Sequence, residues 1–163
     1  MIVAVGHTDL TPAALELVEA ELKVRLDRFD EGAAGMVRAG VGLPLAFARA
    51  VRAAGRRLVV LLPAQHSVPA VLPEPDRAAT RELLLLAEEV RLVAYDPADR
   101  DARVGADERV VRAGGGVLAV WDGSPSDGRD ATAHLVAFAR SRGIPVELVW
   151  PEGAARTSDA HAR

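Results

Sequence analysis

The stretch GVLAVWDGSPSDGRDATAHLVAFARSRGIPVELVWP, from Gly116 to Pro151, indicates the fold more clearly than any other part of the chain. It begins with the apolar run 117–121, continues through a polar loop, and then carries a helical pattern that ends at Gly143. A second apolar run follows at 146–150. Because each run is continuously apolar, both faces of each strand are predicted to be covered, as in a parallel sheet. A polar, glycine-bearing loop that follows such a strand and opens a helix is where α/β proteins bind phosphorylated ligands.

The same alternation of strand and helix runs through the rest of the chain. Three more β-branched or aromatic-rich runs predict strands, and a weaker run predicts a sixth: 2–5, 58–62, 92–95 and 35–38. Helices are predicted between them. The first starts with Thr11 as N-cap and Pro12 as first helical residue, and the others cover 44–54, 77–90, 106–112 and 131–142. This order predicts an α/β layered domain with a mostly parallel sheet. The segment 65–75, rich in proline, is predicted to be a long loop that either closes over the ligand as a flap or merely connects.

Length, charge and composition limit the classes of function that the chain can have. The 163 residues fit one domain, which we place at 1–152, and the small, polar segment 153–163 predicts a disordered tail. The net charge of −3 argues against nucleic-acid and membrane partners. The chain has no cysteine, and no apolar run approaches the roughly 20 residues of a membrane span. A cytoplasmic location is therefore predicted.

Three glycine-bearing turns follow three predicted strands. Because parallel strands end at the same edge of a sheet, the turns are expected to converge there and form a ligand crevice. Glycines that simply end strands and start helices are the alternative for any one turn. The residues predicted to bind ligand are Gly6, His7, Thr8, Gly40, Gly42, Asp122, Gly123, Gly128, Ala131 and Thr132.

Individual side chains in these turns allow more than one role. His7 is either a phosphate ligand, an acid or base, or a packed structural histidine. Asp122 either binds a pair of ribose hydroxyls or forms an Asp-Gly turn. Asp130 or Thr132 caps the last helix, or Thr132 offers its hydroxyl and N–H to a phosphate. No two histidines have metal-ligand spacing, so no metal site is predicted. The P-loop pattern and the G-x-S-x-G pattern are absent, which argues against hydrolases of those types.

Four stretches together match the pattern of a known group of proteins. They are VAVGHTDL at 3–10, the glycine turn at 38–44, AVWDG at 119–123, and the helix opening at 128–136, where Ala131-Thr132-Ala133 stands in place of Gly-Thr-Ala. On these stretches the chain resembles, over roughly residues 1–151, the SLOG superfamily of Rossmann-like nucleotide-binding proteins. This group includes the Lonely-Guy phosphoribohydrolases, the molybdenum-cofactor-carrier-like proteins and the YpsA-like proteins.

The resemblance implies a Rossmann-like three-layer sandwich with a sheet of five to seven strands, helices on both faces, a nucleotide crevice and a homodimer. The chain departs from the group in three turns. Thr8 takes an Arg position, Pro44 takes an Asp position, and the glutamate of the phosphoribohydrolase signature is missing from 127–135. If the chain is an enzyme, the catalytic carboxylate is predicted among Asp122, Asp107 and Glu108.

Three functions remain open on the sequence. The first is a cytoplasmic sensor or carrier that binds a nucleotide or nucleotide derivative, with no other cofactor predicted. The second is a nucleotide N-glycosidase acting on a nucleoside monophosphate, which would need a carboxylate beside the anomeric carbon. The third is a dimeric scaffold with a degenerate pocket. The missing glutamate favours binding over catalysis.

Overall fold

The computed structural model describes residues 1–158, which form a seven-stranded sheet with five helices. The strands are β1 (Ile2–Gly6), β2 (Gly35–Arg38), β3 (Leu58–Gln65), β4 (Val68–Pro69), β5 (Glu89–Ala94), β6 (Gly116–Val120) and β7 (Val146–Val149). The helices are α1 (Pro12–Leu26), α2 (Leu43–Ala53), α3 (Asp76–Leu86), α4 (Arg100–Ala113) and α5 (Thr132–Ser141). Every predicted strand is present, including the weaker one at Gly35–Arg38.

The sheet is parallel except for one short hairpin. Its hydrogen-bonded path runs β4-β3-β2-β1-β6-β7, and β5 pairs with β3. Among the seven strands, only the pairing of β3 with β4 is antiparallel. The chain moves outward from β1 through β2 and β3 to β5, and then returns to place β6 on the other side of β1. The strand order therefore reverses between β1 and β6, where open α/β sheets bind their ligands.

Helices cover both faces of the sheet, which confirms the predicted three-layer α/β sandwich. One apolar core packs α1, α2 and α3 against alternate strand residues, including Ala4, Val60 and Leu118. The second packs α4 and α5 against the intervening residues, including Val5 and Ala119. Successive strand residues point to opposite faces, so a strand buried on both faces must be apolar throughout. This is why the central strands lack polar alternation.

Two predicted helices have different limits in the structure. The leucine-rich helix was expected to reach 90, but α3 ends at Leu86 because the chain turns to an extended conformation at Ala87 and pairs with β3 from Glu89. Helix α4 begins at Arg100 rather than 106, since the Asp99 side chain accepts the Asp101 N–H and caps a longer helix. The longer α4 carries arginines that lie outside the predicted helix.

The segment predicted as a long loop contains a tight hairpin. Gln65 of β3 pairs with Val68 of β4, and the two residues between them adopt positive φ, 54° at His66 and 66° at Ser67. The segment then leads into α3, and Pro75 reaches the wall of the cavity described below. Its end therefore contributes to the site.

Candidate functional site

A cavity of about 450 Å³ lies at the carboxyl edge of the sheet, beside the point where the strand order reverses. This volume is within the range of small-molecule sites. Its walls come from the turns after β1 and β2, the start of α2, the first two turns of α4 and the loop before α5. Of the residues predicted to bind ligand, the following line it: Gly6, His7, Thr8, Gly40, Ala131 and Thr132.

Other predicted residues lie outside the cavity lining. Asp122 is bound to His7, while Gly42 is the N-cap of α2. Gly123 and Gly128 belong to the loop but do not border the cavity. Of the remaining catalytic candidates, Asp107 lines the cavity, whereas Glu108 faces away from it and contacts His134 of α5 at 2.8 Å.

His7 is fully buried and lies between two carboxylates. Its Nδ1 is 2.6 Å from Oδ2 of Asp130, and since an ionised carboxylate only accepts, Nδ1 carries the proton. Its Nε2 contacts two atoms of Asp122, the backbone N–H at 3.1 Å and Oδ1 at 3.0 Å. The neutral ring accepts from the N–H, and the imidazolium donates to the carboxylate. Nε2 is therefore held between a donor and an acceptor of Asp122.

The loop that follows β6 holds both carboxylates in place. Asp130 Oδ1 accepts the Thr132 N–H at 2.9 Å, and Asp122 Oδ1 accepts the Ser124 N–H at the same distance. Burial would raise the pKa of Asp130, but its bonds from His7 and Thr132 outweigh burial and hold the pKa well below its ordinary value. Burial likewise opposes the shift at Asp122, whose pKa is lowered by its bonds from Ser124 and by His7. Both carboxylates are therefore ionised near neutral pH.

Arg156 completes this network, although the sequence predicts a disordered tail there. Its Nε lies 2.9 Å from Asp9 Oδ1, and its guanidinium lies 3.6 Å from Asp122 and 3.5 Å from Asp130. A backbone bridge between Leu10 and Arg156 fixes the segment beside β1. The tail prediction thus differs from the structure over residues 153–158, and its remaining part, 159–163, lies outside the described residues. The sequence around Arg156 is small and polar, and nothing in it indicates this role.

The Arg156 guanidinium lies where a cation would otherwise be favoured. His7, Asp9 and Asp130 each offer a ligand atom, and these atoms lie within 4.8 Å of one another. Arg156 already contacts both aspartates, so a side chain of the protein itself offsets part of their negative charge. The cluster is accordingly a guanidinium–carboxylate network.

Arg38 and Asp107 form a second ion pair, across the cavity floor. Arg38 Nε donates to Asp107 Oδ1 at 2.6 Å, and Nη2 donates to Oδ2 at 3.2 Å, a two-bond geometry that joins the end of β2 to α4. Burial would lower the pKa of Arg38, but the charge of Asp107 raises it above its ordinary value. Asp107 is therefore held as the partner of Arg38.

The amino terminus of α5 was predicted to hold a phosphate, and its N–H groups are largely used within the protein. Thr132 N–H donates to Asp130 Oδ1, and His134 N–H donates to Ser126 Oγ at 3.0 Å. The amino terminus of α2 also offers few N–H groups, because Pro44 has none and the Leu45 N–H donates to the Gly42 carbonyl oxygen at 3.2 Å. Neither helix start therefore presents a full set of free N–H groups to a ligand.

Two of the predicted glycines are required for different reasons. A Cβ at Gly6 would lie 2.6 Å from the Val120 carbonyl oxygen, so β1 and β6 approach too closely for a side chain. Gly42 has a φ of +79°, a conformation that other residues adopt at a cost. Gly40 has room, since its nearest contact would be Pro44 at 3.7 Å.

The chain shows little similarity to known proteins. No family model and no curated protein matches the chain. Among solved structures, the chain is similar to the uncharacterized protein ATU2773 from Agrobacterium tumefaciens C58, at 17% identity and a TM-score of 0.26. The match covers 93% of this chain and 64% of that one, so the chain spans less than two thirds of its length. A similarity at this level supports no argument about fold or function.

No helix within residues 1–158 is long and apolar enough to cross a membrane.

Proposed function

We propose that the protein binds a nucleotide or a nucleotide derivative in the cavity at the carboxyl edge of the sheet, as a sensor or carrier of the kind that the SLOG resemblance implies. The observation that carries this proposal is the position of a cavity of about 450 Å³ beside the reversal of strand order, with glycine turns and arginines in its wall. Ligands of α/β proteins with open sheets bind at this position, and glycine turns let phosphate oxygens approach backbone N–H groups.

The state of the carboxylates supports binding over glycosidic cleavage. An N-glycosidase needs a carboxylate that faces the anomeric carbon. Asp107 is bound to Arg38, and Asp130 is bound to His7 and Arg156. Asp122 is bonded to His7 and does not line the cavity. The predicted catalytic carboxylate that reaches the cavity, Asp107, is thus held in an ion pair, and Asp76 is the lining carboxylate without one within residues 1–158.

Calorimetry and thermal-shift measurements with AMP, ADP, NAD and ADP-ribose test the proposal. Gly40→Leu places a side chain in the cavity, where the nearest atom to the new Cβ is 3.7 Å away. Gly115→Leu is the matched control, because Gly115 precedes β6 outside the cavity lining and the nearest atom to its new Cβ is 3.8 Å away. We expect binding by the wild type and Gly115→Leu, and loss of binding in Gly40→Leu. Absence of binding to all four nucleotides in the wild type would overturn the proposal.

Release of free base from nucleoside monophosphates separates the sensor from the enzyme. Incubation with AMP followed by chromatography is expected to show no adenine above the protein-free control. Adenine that appears in proportion to the protein would replace the sensor proposal with the N-glycosidase alternative.

The homodimer also remains a proposal. The edge strand β5 exposes Val90 and Leu92, each at 45%, which is compatible with a covered edge in an assembly. Sedimentation equilibrium at several concentrations tests it, and a monomer at all concentrations would argue against it. The cytoplasmic location stays a prediction.

A further inference from the structure

Three arginines line the cavity and carry charges that no close partner cancels. They are Arg100 and Arg103 on α4, and Arg129 in the loop before α5. Within residues 1–158, no carboxylate lies within 4.0 Å of the Arg103 or Arg129 guanidinium, and Arg100 approaches only the highly exposed Asp101, at 3.6 Å. The cavity wall therefore contains unbalanced positive charge.

Backbone carbonyls hold two of these arginines in position. Arg103 Nη1 donates to the Pro97 carbonyl at 2.8 Å, and Arg100 Nη2 donates to the Asp127 carbonyl at 2.6 Å. A carbonyl bond orients a guanidinium and leaves its full positive charge in place. The bond from Arg100 also joins the start of α4 to the loop that carries Arg129. The three arginines therefore lie on two adjoining parts of the cavity wall, the start of α4 and the loop before α5.

The acidic residues of the cavity do not offset these arginines. Three aspartates line the wall, and two of them are already engaged, Asp107 with Arg38 and Asp130 with His7 and Arg156. Asp76 remains as the single lining carboxylate without an ion pair in the described residues. An excess of guanidinium groups at a concave surface favours a ligand with at least two negative charges, since Arg binds phosphate oxygens through two N–H groups at once.

We propose that Arg100, Arg103 and Arg129 form the subsite for a phosphate monoester or diphosphate group of the ligand. This inference rests on the proposed nucleotide binding and adds which side chains bind the phosphate. It places the anionic group of the ligand at the start of α4 rather than at the amino terminus of α5, whose N–H groups are largely bonded within the protein. A nucleotide is then selected over its nucleoside by these three side chains.

Calorimetry with AMP, adenosine and inorganic phosphate tests the subsite in the wild type and in three variants. Arg129→Gln and Arg103→Gln each remove one guanidinium, and Arg129 is exposed, so its replacement does not disturb the fold. Arg140→Gln is the control, because it removes the same charge from the exposed last turn of α5. Circular dichroism verifies that each variant is folded.

The expected result is that each cavity variant binds AMP about tenfold more weakly, while Arg140→Gln binds as the wild type does. Adenosine should bind at least about tenfold more weakly than AMP, with no further loss in Arg129→Gln. If the wild type binds AMP and both cavity variants bind it equally well, the subsite is overturned and nucleotide binding stands. If the wild type binds none of AMP, ADP, NAD, ADP-ribose and inorganic phosphate, both proposals fail. If the wild type binds inorganic phosphate but no nucleotide, and both cavity variants bind phosphate more weakly, the subsite is supported and the proposal of nucleotide binding is contradicted.

Discussion

The Nδ1 atom of His7 lies 2.6 Å from Oδ2 of Asp130, a residue 123 positions later in the chain. This bond joins the turn after β1 to the loop after β6, across the reversal of strand order. Both side chains are buried, at 0% and 8% exposure. A buried polar pair of this kind contributes to stability only while both partners are present, because either one alone would be left unsatisfied.

Asp130→Asn is expected to lower the free energy of unfolding by about 2 kcal/mol, since hydrogen bonds to charged groups are worth about 1.5–3 kcal/mol. The substitution keeps the shape of the side chain and removes the charge that His7 and Arg156 contact. Urea denaturation followed by circular dichroism measures the loss. Asp101→Asn, at a side chain that is 92% exposed, is the control and should leave the midpoint nearly unchanged. Equal midpoints for both variants would contradict a stabilising role of the pair.

Stability is expected to fall as the pH is lowered below about 4. The pKa values of Asp9, Asp122 and Asp130 are all lowered in the folded protein. A carboxyl with a lowered folded pKa stabilises the fold fully above its unfolded pKa of about 3.9, and loses that contribution as the pH falls towards the folded value. Urea midpoints between pH 6 and 2.5 measure the effect. Asp130→Asn should show a shallower decline, and an identical pH profile would argue against this assignment.

Gly6→Ala is expected to destabilise the protein by about 1–3 kcal/mol, the usual range for an overpacked interior. The new Cβ would lie 2.6 Å from the Val120 carbonyl oxygen and 2.8 Å from a methyl of Leu43, so β1 and β6 would have to separate. Thermal unfolding compares this variant with Gly128→Ala, where a Cβ meets no described atom within 4 Å. A melting temperature for Gly6→Ala as high as that of Gly128→Ala would show that the strands can relax.

Arg156→Gln is expected to release the segment 153–158 from the sheet edge. Arg156 contacts three carboxylates and is only 12% exposed, so its removal leaves Asp9, Asp122 and Asp130 without their shared cation. We expect a loss of about 1.5–3 kcal/mol and faster hydrogen exchange at the Thr157 N–H, which donates to the Asp9 carbonyl at 2.7 Å. Arg142→Gln on the exposed end of α5 is the control. Unchanged exchange at Thr157 would show that backbone bonds alone hold the segment.

The helices and strands follow from local sequence patterns, and the errors in their predicted limits have local causes. Continuous apolar runs predict the strands because both faces are covered, and Gly55 and Gly143 follow helices with a positive φ that glycine adopts readily. Helix α4 was predicted too short because its first turns, from Arg100, are charged and show little apolar periodicity. Its observed start depends on a cap by Asp99. The residues of α4 before 106 were therefore predicted outside any helix, although some of them form part of the cavity wall.

The sequence by itself determined the layered α/β fold, the edge of the sheet where the cavity lies, and three of the turns at that edge. These features depend on the period of apolar residues and on glycine turns, both of which are local. The tertiary structure alone decided which side chains meet. The contact between Arg156 and Asp9 spans 147 positions, and the bond from Arg38 to Asp107 spans 69. Such pairs are set by strand order and helix packing, so no local pattern distinguishes an aspartate held by an arginine from one open to a ligand.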